Sequence, residues 1–198
     1  MKRIILISIL AVFISCISES KEQQIVYYPS EKEFSNPEAL VPIDLDTTNL
    51  KYWDLAMMTP ANDYRKNIPY FEIKGDAVTK RIVPFLIEPP FVRRNEVIKV
   101  TMDSIFADKK YGIDEMDKVF KSIFGKQSRP EFSNYRKNPN FIRLAIDIDT
   151  NSTGKDVKKV LLRTTDTFEK VKTELADSLM LIIYFDTLFG LYGAEQLE

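Results

Sequence analysis

The 198-residue sequence contains no histidine and a single cysteine, Cys16. Without histidine the chain cannot hold a Ser-His-Asp or Cys-His catalytic pair, a histidine-ligated zinc ion, or an imidazole that titrates near neutral pH. One cysteine excludes an intramolecular disulfide and a Cys-x-x-Cys motif. The composition is 44% hydrophobic and 29% charged, which is typical of a folded domain. These absences favour a binding or structural role without a cofactor.

The first 16 residues are arranged like a bacterial secretion signal. A basic start precedes an apolar run from residue 4 to residue 14, which is too short for a permanent transmembrane helix. The run leads to Cys16, and the tetrapeptide Phe13-Ile14-Ser15-Cys16 resembles the lipobox of bacterial lipoproteins. The resemblance implies that residues 1–15 are removed as a signal peptide and that Cys16 is acylated and becomes the first residue of the mature protein.

The lipobox-like signal also implies a location in the cell envelope. Acyl chains on Cys16, palmitate among them, form a stable membrane anchor because each buried methylene contributes about 0.8 kcal/mol. The next residue is Ile17 and not the aspartate that retains some lipoproteins at the inner membrane, which favours the outer membrane, on its periplasmic or its surface side. Removing Lys2 and Arg3 from the 28 basic residues leaves 26 against 29 acidic ones, and a net charge of −3 gives no electrostatic case for nucleic acid.

The rest of the sequence predicts a tether, an arm and one folded domain. Residues 16–28 are expected to form the lipidated tether, because residues 18–24 are all polar. Residues 29–69 contain five of the ten prolines and are expected to form an extended Pro-rich arm without helix. Residues 70–198 carry regular hydrophobic patterns and are expected to form an α+β domain.

The patterns in residues 70–198 predict a small mixed sheet and two amphipathic helices. Alternating apolar residues predict strands near residues 70–74, 97–102 and 141–149. The apolar run 81–87 predicts a further strand, at an edge or with a bulge because it contains Pro84. Apolar residues three and four apart predict helices over 113–124 and 155–175. Residues 179–185 fit either a continuation of the second helix or a buried strand. The order strand, helix, strand, helix from residue 97 onward is a split βαβ pattern.

Four segments between residues 97 and 162 resemble the periplasmic domain of ExbD/TolR-type energy-coupling proteins. They are VIKVTMDSIF (97–106), IDEM (113–116), FIRLAIDID (141–149) and DVKKVL (156–161). In that family a strand with a short hairpin leads into a helix, a strand that ends in an acidic residue, and a second helix. The resemblance implies an alternative function as a soluble relative of these proteins. It does not extend to proton conduction, because the family carries a carboxylate within a transmembrane helix and residues 4–14 contain none.

Asp147 and Asp149 are the candidate metal ligands and the candidates for acid-base chemistry. They lie two residues apart on a predicted strand, so both carboxylates project from one face about 7 Å apart. Paired acids can bind a hard cation or share acid-base work. A solvated strand end gives the same pattern, and the glycine of a calcium loop is absent. A ligand-binding protein or enzyme centred on this pair is therefore another alternative.

The most apolar segment after the signal runs from residue 178 to residue 193. It suits a protein core, and it also suits a surface that another protein covers. The candidate partner contacts are Leu179, Ile182, Phe185 and Phe189. The sequence as a whole predicts a membrane-anchored envelope lipoprotein that binds another envelope protein as a non-catalytic module.

Overall fold

The described structure is that of an α+β protein. The computed structural model describes residues 23–59, 67–87, 96–125, 135, 140–175 and 178–186. These residues form three α-helices and two mixed sheets, which confirms the predicted fold class. The predicted signal, Cys16 and Phe189 lie outside the described residues. No helix within the described ranges is both long enough and apolar enough to cross a membrane.

The strands and helices of the described residues have the following bounds. The strands are β1 (Gln24–Tyr28), β2 (Leu40–Ile43), β3 (Ile68–Lys74), β4 (Val78–Ile82), β5 (Phe85–Leu86), β6 (Ile98–Val100), β7 (Ser104–Phe106), β8 (Lys110–Gly112), β9 (Phe141–Ile146) and β10 (Met180–Phe185). The helices are α1 (Tyr52–Met58), α2 (Met116–Phe124) and α3 (Gly154–Leu175). Three short 3-10 turns are Glu31–Phe34, Pro37–Ala39 and Ile113–Glu115.

The smaller sheet has four strands in the order β1-β4-β3-β2. The larger has six in the order β5-β10-β9-β6-β7-β8, of which β5, β10, β9 and β6 are parallel. The hairpin strands β7 and β8 extend this sheet in antiparallel pairing. Because β6, β9 and β10 are direct neighbours, the connections through α2 and α3 are direct βαβ units. The split arrangement is wrong, since no strand separates the parallel pairs.

The long helix α3 begins at Gly154, directly after Thr153. The Thr153 hydroxyl and backbone N–H both bond to the Asp156 carboxylate, at 2.7 and 2.8 Å, and so tie the first turn together. The first residue of the helix, Gly154, has to be small because the backbone near Leu45 passes close to it. A Cβ at position 154 would lie 2.6 Å from the Leu45 carbonyl oxygen, so a larger residue would push that chain away.

One continuous core joins the two sheets. Phe71 from β3, Ile82 from β4 and Phe185 from β10 are fully buried in the same cluster. The rings of Phe71 and Phe185 lie 5.8 Å apart between their centroids, and those of Tyr28 and Phe168 lie 6.1 Å apart. The apolar stripe of α3 packs into this cluster through Val157, Val160, Leu161, Phe168 and Val171.

Two expectations for the ends of the domain need correction, and one alternative that the sequence left open is decided. Residues 24–28, assigned to the tether, form β1, which pairs with β4 along its whole length. Residues 29–69, assigned to an arm without helix, contain β2 and α1. The helix forms because no proline lies between Pro42 and Pro60 and because Tyr52 and Leu55 bury one of its faces. Residues 179–185, which fitted either helix or strand, supply β10.

Candidate functional site

The structure gives Asp147 and Asp149 local structural roles. Both follow the end of β9, where Asp147 pairs with the Lys99 ammonium at 2.5 Å. Asp149 is exposed, and its carboxylate accepts the Asn151 N–H at 2.7 Å, which shapes the turn before α3. The described ranges contain no group of three or more acidic or cysteine residues that could hold a metal ion. The contacts of this pair therefore give no support to a cation site.

The predicted partner contacts are mainly core residues. Leu179 is 5% exposed and Phe185 is fully buried, so neither forms a surface in this structure. The Phe185 ring lies 5.2 Å from that of Tyr52 between centroids. Ile182 is half-buried, and Phe189 lies outside the described residues. The segment is apolar because β10 lies inside a sheet, between β5 and β9.

The hydroxyl of Tyr52 joins α1 to the carboxyl ends of β9 and β10. This fully buried hydroxyl donates to the Ile146 carbonyl and accepts the Asp186 N–H at 3.0 Å. Burial raises the pKa of Tyr52 well above its ordinary value, and the negative charges of Asp147 and Asp186 act in the same direction. The hydroxyl therefore stays protonated and serves as a fixed link.

A Tyr52→Phe variant should be less stable by about 1 kcal/mol, because the link is lost while the Asp186 N–H keeps its bond to the Ile146 carbonyl. Urea unfolding followed by circular dichroism measures this difference. Tyr27→Phe is the matched control, since Tyr27 is half-buried in the aromatic contacts of the other sheet, and we expect no loss there. Equal losses in the two variants would contradict the proposed link.

A second buried polar cluster fixes α3 over the four-stranded sheet. The Lys80 ammonium donates to the Thr165 hydroxyl at 2.8 Å and also to the Asp166 carboxylate. The Tyr28 hydroxyl donates to the Glu169 carboxylate at 2.8 Å. Burial, with the nearby negative charges of Glu169 and Asp166, raises the pKa of Tyr28 well above its ordinary value. With these partners, the buried Lys80 has a structural role and is not a candidate nucleophile.

A cavity of about 420 Å³ lies beside the four-stranded sheet. We call it the Ile68 cavity, and it is lined by Lys32, Glu33, Ser35, Asn36, Ala39, Ile68, Val83 and Phe85. Ala39, Ile68 and Val83 are buried and form an apolar cluster, which Phe85 joins from β5. Lys32, Glu33, Ser35 and Asn36 bring charge of both signs and hydrogen-bonding groups.

The two 3-10 turns that follow β1 build one wall of the Ile68 cavity. The chain turns at Pro29, and the Ser30 hydroxyl bonds to the Glu33 carboxylate at 2.6 Å at the start of the first 3-10 turn. Phe34 then packs on Tyr27 and Tyr70, with ring centroids 5.0 and 5.5 Å apart. This aromatic contact holds the wall against the outer face of the sheet.

The position of the Ile68 cavity is set by β3. Ile68 begins this strand, whereas Gly75 directly follows its last residue, Lys74. The Gly75 carbonyl accepts a bond of 2.6 Å from the side chain of Gln23, the first described residue. Seven strand residues span about 20 Å, so the cavity and Gln23 lie at opposite ends of the four-stranded sheet. We call the end of the four-stranded sheet at which Gln23 bonds to Gly75 the Gln23 end.

The described residues also include an apolar surface on α1. Trp53, Met57 and Met58 are 40%, 57% and 44% exposed. We call these three side chains the α1 face. Sequence patterns did not predict the α1 face or the Ile68 cavity, because both depend on which segments fold against each other. Trp53 is the single tryptophan of the sequence, which was the one available signal.

The chain was compared with known proteins in three ways. No protein-family model, no curated protein and no solved structure matches it.

Proposed function

We propose that this protein is an envelope lipoprotein, anchored at a membrane through an acylated Cys16, which binds another envelope protein without catalysing a reaction. The observation that carries the binding role is the Ile68 cavity, with its apolar floor and charged rim. The lipobox-like signal supports the anchor, and the outer membrane is the proposed location.

The lining of the cavity suits a side chain of another protein. The buried floor of Ala39, Ile68 and Val83 can accept an apolar group and release the water in contact with it. Lys32 and Glu33 at the rim offer one charge of each sign, which fits a polypeptide better than a ligand of uniform charge. The volume of about 420 Å³ holds one large side chain with room for its neighbours.

The arrangement also leaves the cavity accessible on an anchored protein. A tether attached at Gln23 holds the Gln23 end toward the membrane, and the Ile68 cavity lies about 20 Å away along β3. A partner can therefore reach the cavity from the side that faces away from the anchoring membrane.

Photo-crosslinking in intact cells tests the binding site. A benzophenone amino acid at Asn36, on the rim, should form a discrete adduct with a partner protein. The same amino acid at Asp76, exposed at the Gln23 end, is the matched control and should not form it. Adding Ser35→Trp, which narrows the rim, should remove the adduct without changing the melting temperature. Adducts of equal yield from Asn36 and Asp76, or adducts insensitive to Ser35→Trp, would contradict the site.

A soluble relative of ExbD/TolR-type proteins is the second candidate function. The order of β6, β7, α2, β9 and α3 supports it, because the resemblance implies a hairpin, a helix, a strand and a helix in that order. The crosslinked partner separates the two candidates. Adducts with an inner-membrane motor protein would favour this second function.

A further inference from the structure

We infer that the carboxyl-terminal segment of the chain, residues 187–198, covers the Ile68 cavity and competes there with the partner. This inference rests on the proposed function of the cavity as a partner site, and it adds a form of regulation to that site. It combines the apolar floor of the cavity with the place where β10 ends and with the composition of the residues that follow.

Strand β10 ends beside the wall of the Ile68 cavity. Tyr184 of β10 pairs with Phe85 of β5, and their rings lie 6.0 Å apart between centroids. Phe85 lines the cavity. Asp186 lies one strand spacing across and two residues along from Phe85, so the two Cα atoms are about 8 Å apart. The chain that follows Asp186 therefore starts next to the cavity.

The starting point of the segment is fixed within the fold. The Asp186 N–H donates to the Ile146 carbonyl at 3.0 Å and also lies 3.0 Å from the Tyr52 hydroxyl. Asp186 is only 2% exposed, so the reach of the residues after it is counted from a buried point. Three residues of extended chain span about 10 Å, which brings Phe189 within reach of Phe85.

The composition of the segment suits the floor of the cavity. Residues 187–193 carry no charge and include four large apolar side chains, which are Leu188, Phe189, Leu191 and Tyr192. The floor of Ala39, Ile68 and Val83 is apolar and buried, so an apolar side chain placed on it releases the water in contact with both. Phe189, a candidate partner contact from the sequence, thus has a site within its own chain.

The partner and the segment cannot occupy the cavity together. Its volume of about 420 Å³ holds one large side chain with room for its neighbours, so a partner side chain on the floor displaces Phe189. A segment joined directly to Asp186 has an effective concentration on the order of millimolar at the cavity. The segment therefore raises the partner concentration that binding requires, and it keeps the apolar floor covered while no partner is bound.

Photo-crosslinking of the purified protein, with no other protein present, tests this contact directly. The full mature chain carries the benzophenone amino acid at Asn36, on the rim, and is irradiated and digested with trypsin. Residue 36 lies in the tryptic peptide 33–51, and the segment lies in the tryptic peptide 173–198. We expect a link between these two peptides, located by fragmentation within residues 187–193. The same amino acid at Asp76, exposed at the Gln23 end, is the matched control and should give little of this link.

Two substitutions of Phe189 connect the contact to partner binding. Phe189→Asp would place a charge on the apolar floor, so it should remove most of the link in the purified protein. In cells the same substitution should increase several-fold the adduct that Asn36 forms with the partner, because the competitor is weakened. Phe189→Leu keeps an apolar side chain and should leave both yields near those of the wild type. A chain that ends at Asp186 should give the same partner adduct as Phe189→Asp, which makes the test independent of that single substitution.

Other occupants of the Ile68 cavity give different results. If Asn36 in the purified protein forms no link to residues 187–198, or links to residues 60–66 or 88–95 instead, the inference is overturned, and a partner adduct in cells still supports the proposed function. Equal yields from Asn36 and Asp76 overturn it as well. Links between isotope-labelled and unlabelled chains in a mixture show that a second copy supplies the segment, which also overturns it. If the link forms but no variant gives a partner adduct, the proposed function is refuted and the competition with it.

Discussion

A Cys16→Ser variant is expected to lose its membrane attachment completely. Serine has no thiolate to accept an acyl chain, so the variant carries none. Two or three chains form a stable anchor because each buried methylene contributes about 0.8 kcal/mol. The variant should therefore carry no acyl chain, and the part of it from which residues 1–15 have been cleaved should lie in the aqueous fraction.

Labelled palmitate and detergent phase partitioning measure this loss in cells. The wild-type protein should carry label and enter the detergent phase, and Cys16→Ser should do neither. Ser18→Ala, two residues downstream, is the matched control, because it changes a neighbouring hydroxyl and retains the thiol. A serine variant that lacks residues 1–15 and still enters the detergent phase would contradict anchoring through Cys16, whatever the fate of the partner site.

Replacing Phe185 by alanine should lower the free energy of unfolding by about 3–5 kcal/mol. Phe185 is fully buried at the end of β10, and its ring contacts those of Tyr52 and Phe71. It thus joins the end of the six-stranded sheet to α1 and to the four-stranded sheet. A loss of this size is a large share of the about 5–15 kcal/mol by which a protein is stable, so the variant is expected to be partly unfolded at growth temperature.

Urea unfolding and thermal melting compare Phe185→Ala with Phe185→Leu. Leucine fills most of the space, so its cost should stay under about 1.5 kcal/mol. Similar small costs for both variants would mean that Phe185 is not a core residue. If Phe185→Ala were fully stable and failed only to bind a partner, the surface interpretation of this segment would be restored.

The secondary-structure elements with the strongest sequence patterns were predicted best. Helix α3 shows apolar residues at helical spacing over 22 residues, and β9 alternates between half-buried and buried residues from Phe141 to Leu144. Such periodicity is a local property of the chain, so it is visible before any packing is known. The same holds for α2, which begins at Met116 after a 3-10 turn.

Features that depend on distant contacts could not be predicted in this way. The apolar run of β10 fits a helix, a strand or an interface, and only its pairing with β5 and β9 decides between them. Asp147 looked like a ligand because its partner Lys99 lies on another strand. The Ile68 cavity draws its walls from Ala39, Ile68 and Phe85, which are separated along the chain, and no local pattern marks it.

The pairing of β1 with β4 has a mechanical consequence for an anchored protein. The proposed tether would enter the domain at β1, which is an edge strand and runs from the Gln23 end toward the Ile68 cavity. A pull between the membrane and a partner at the cavity acts along this strand and across its hydrogen bonds with β4, which in a parallel pair are evenly spaced and slanted. All the bonds of the pair then share the load in shear and do not open one after another. In an anchored protein, β1 is thus oriented to transmit tension.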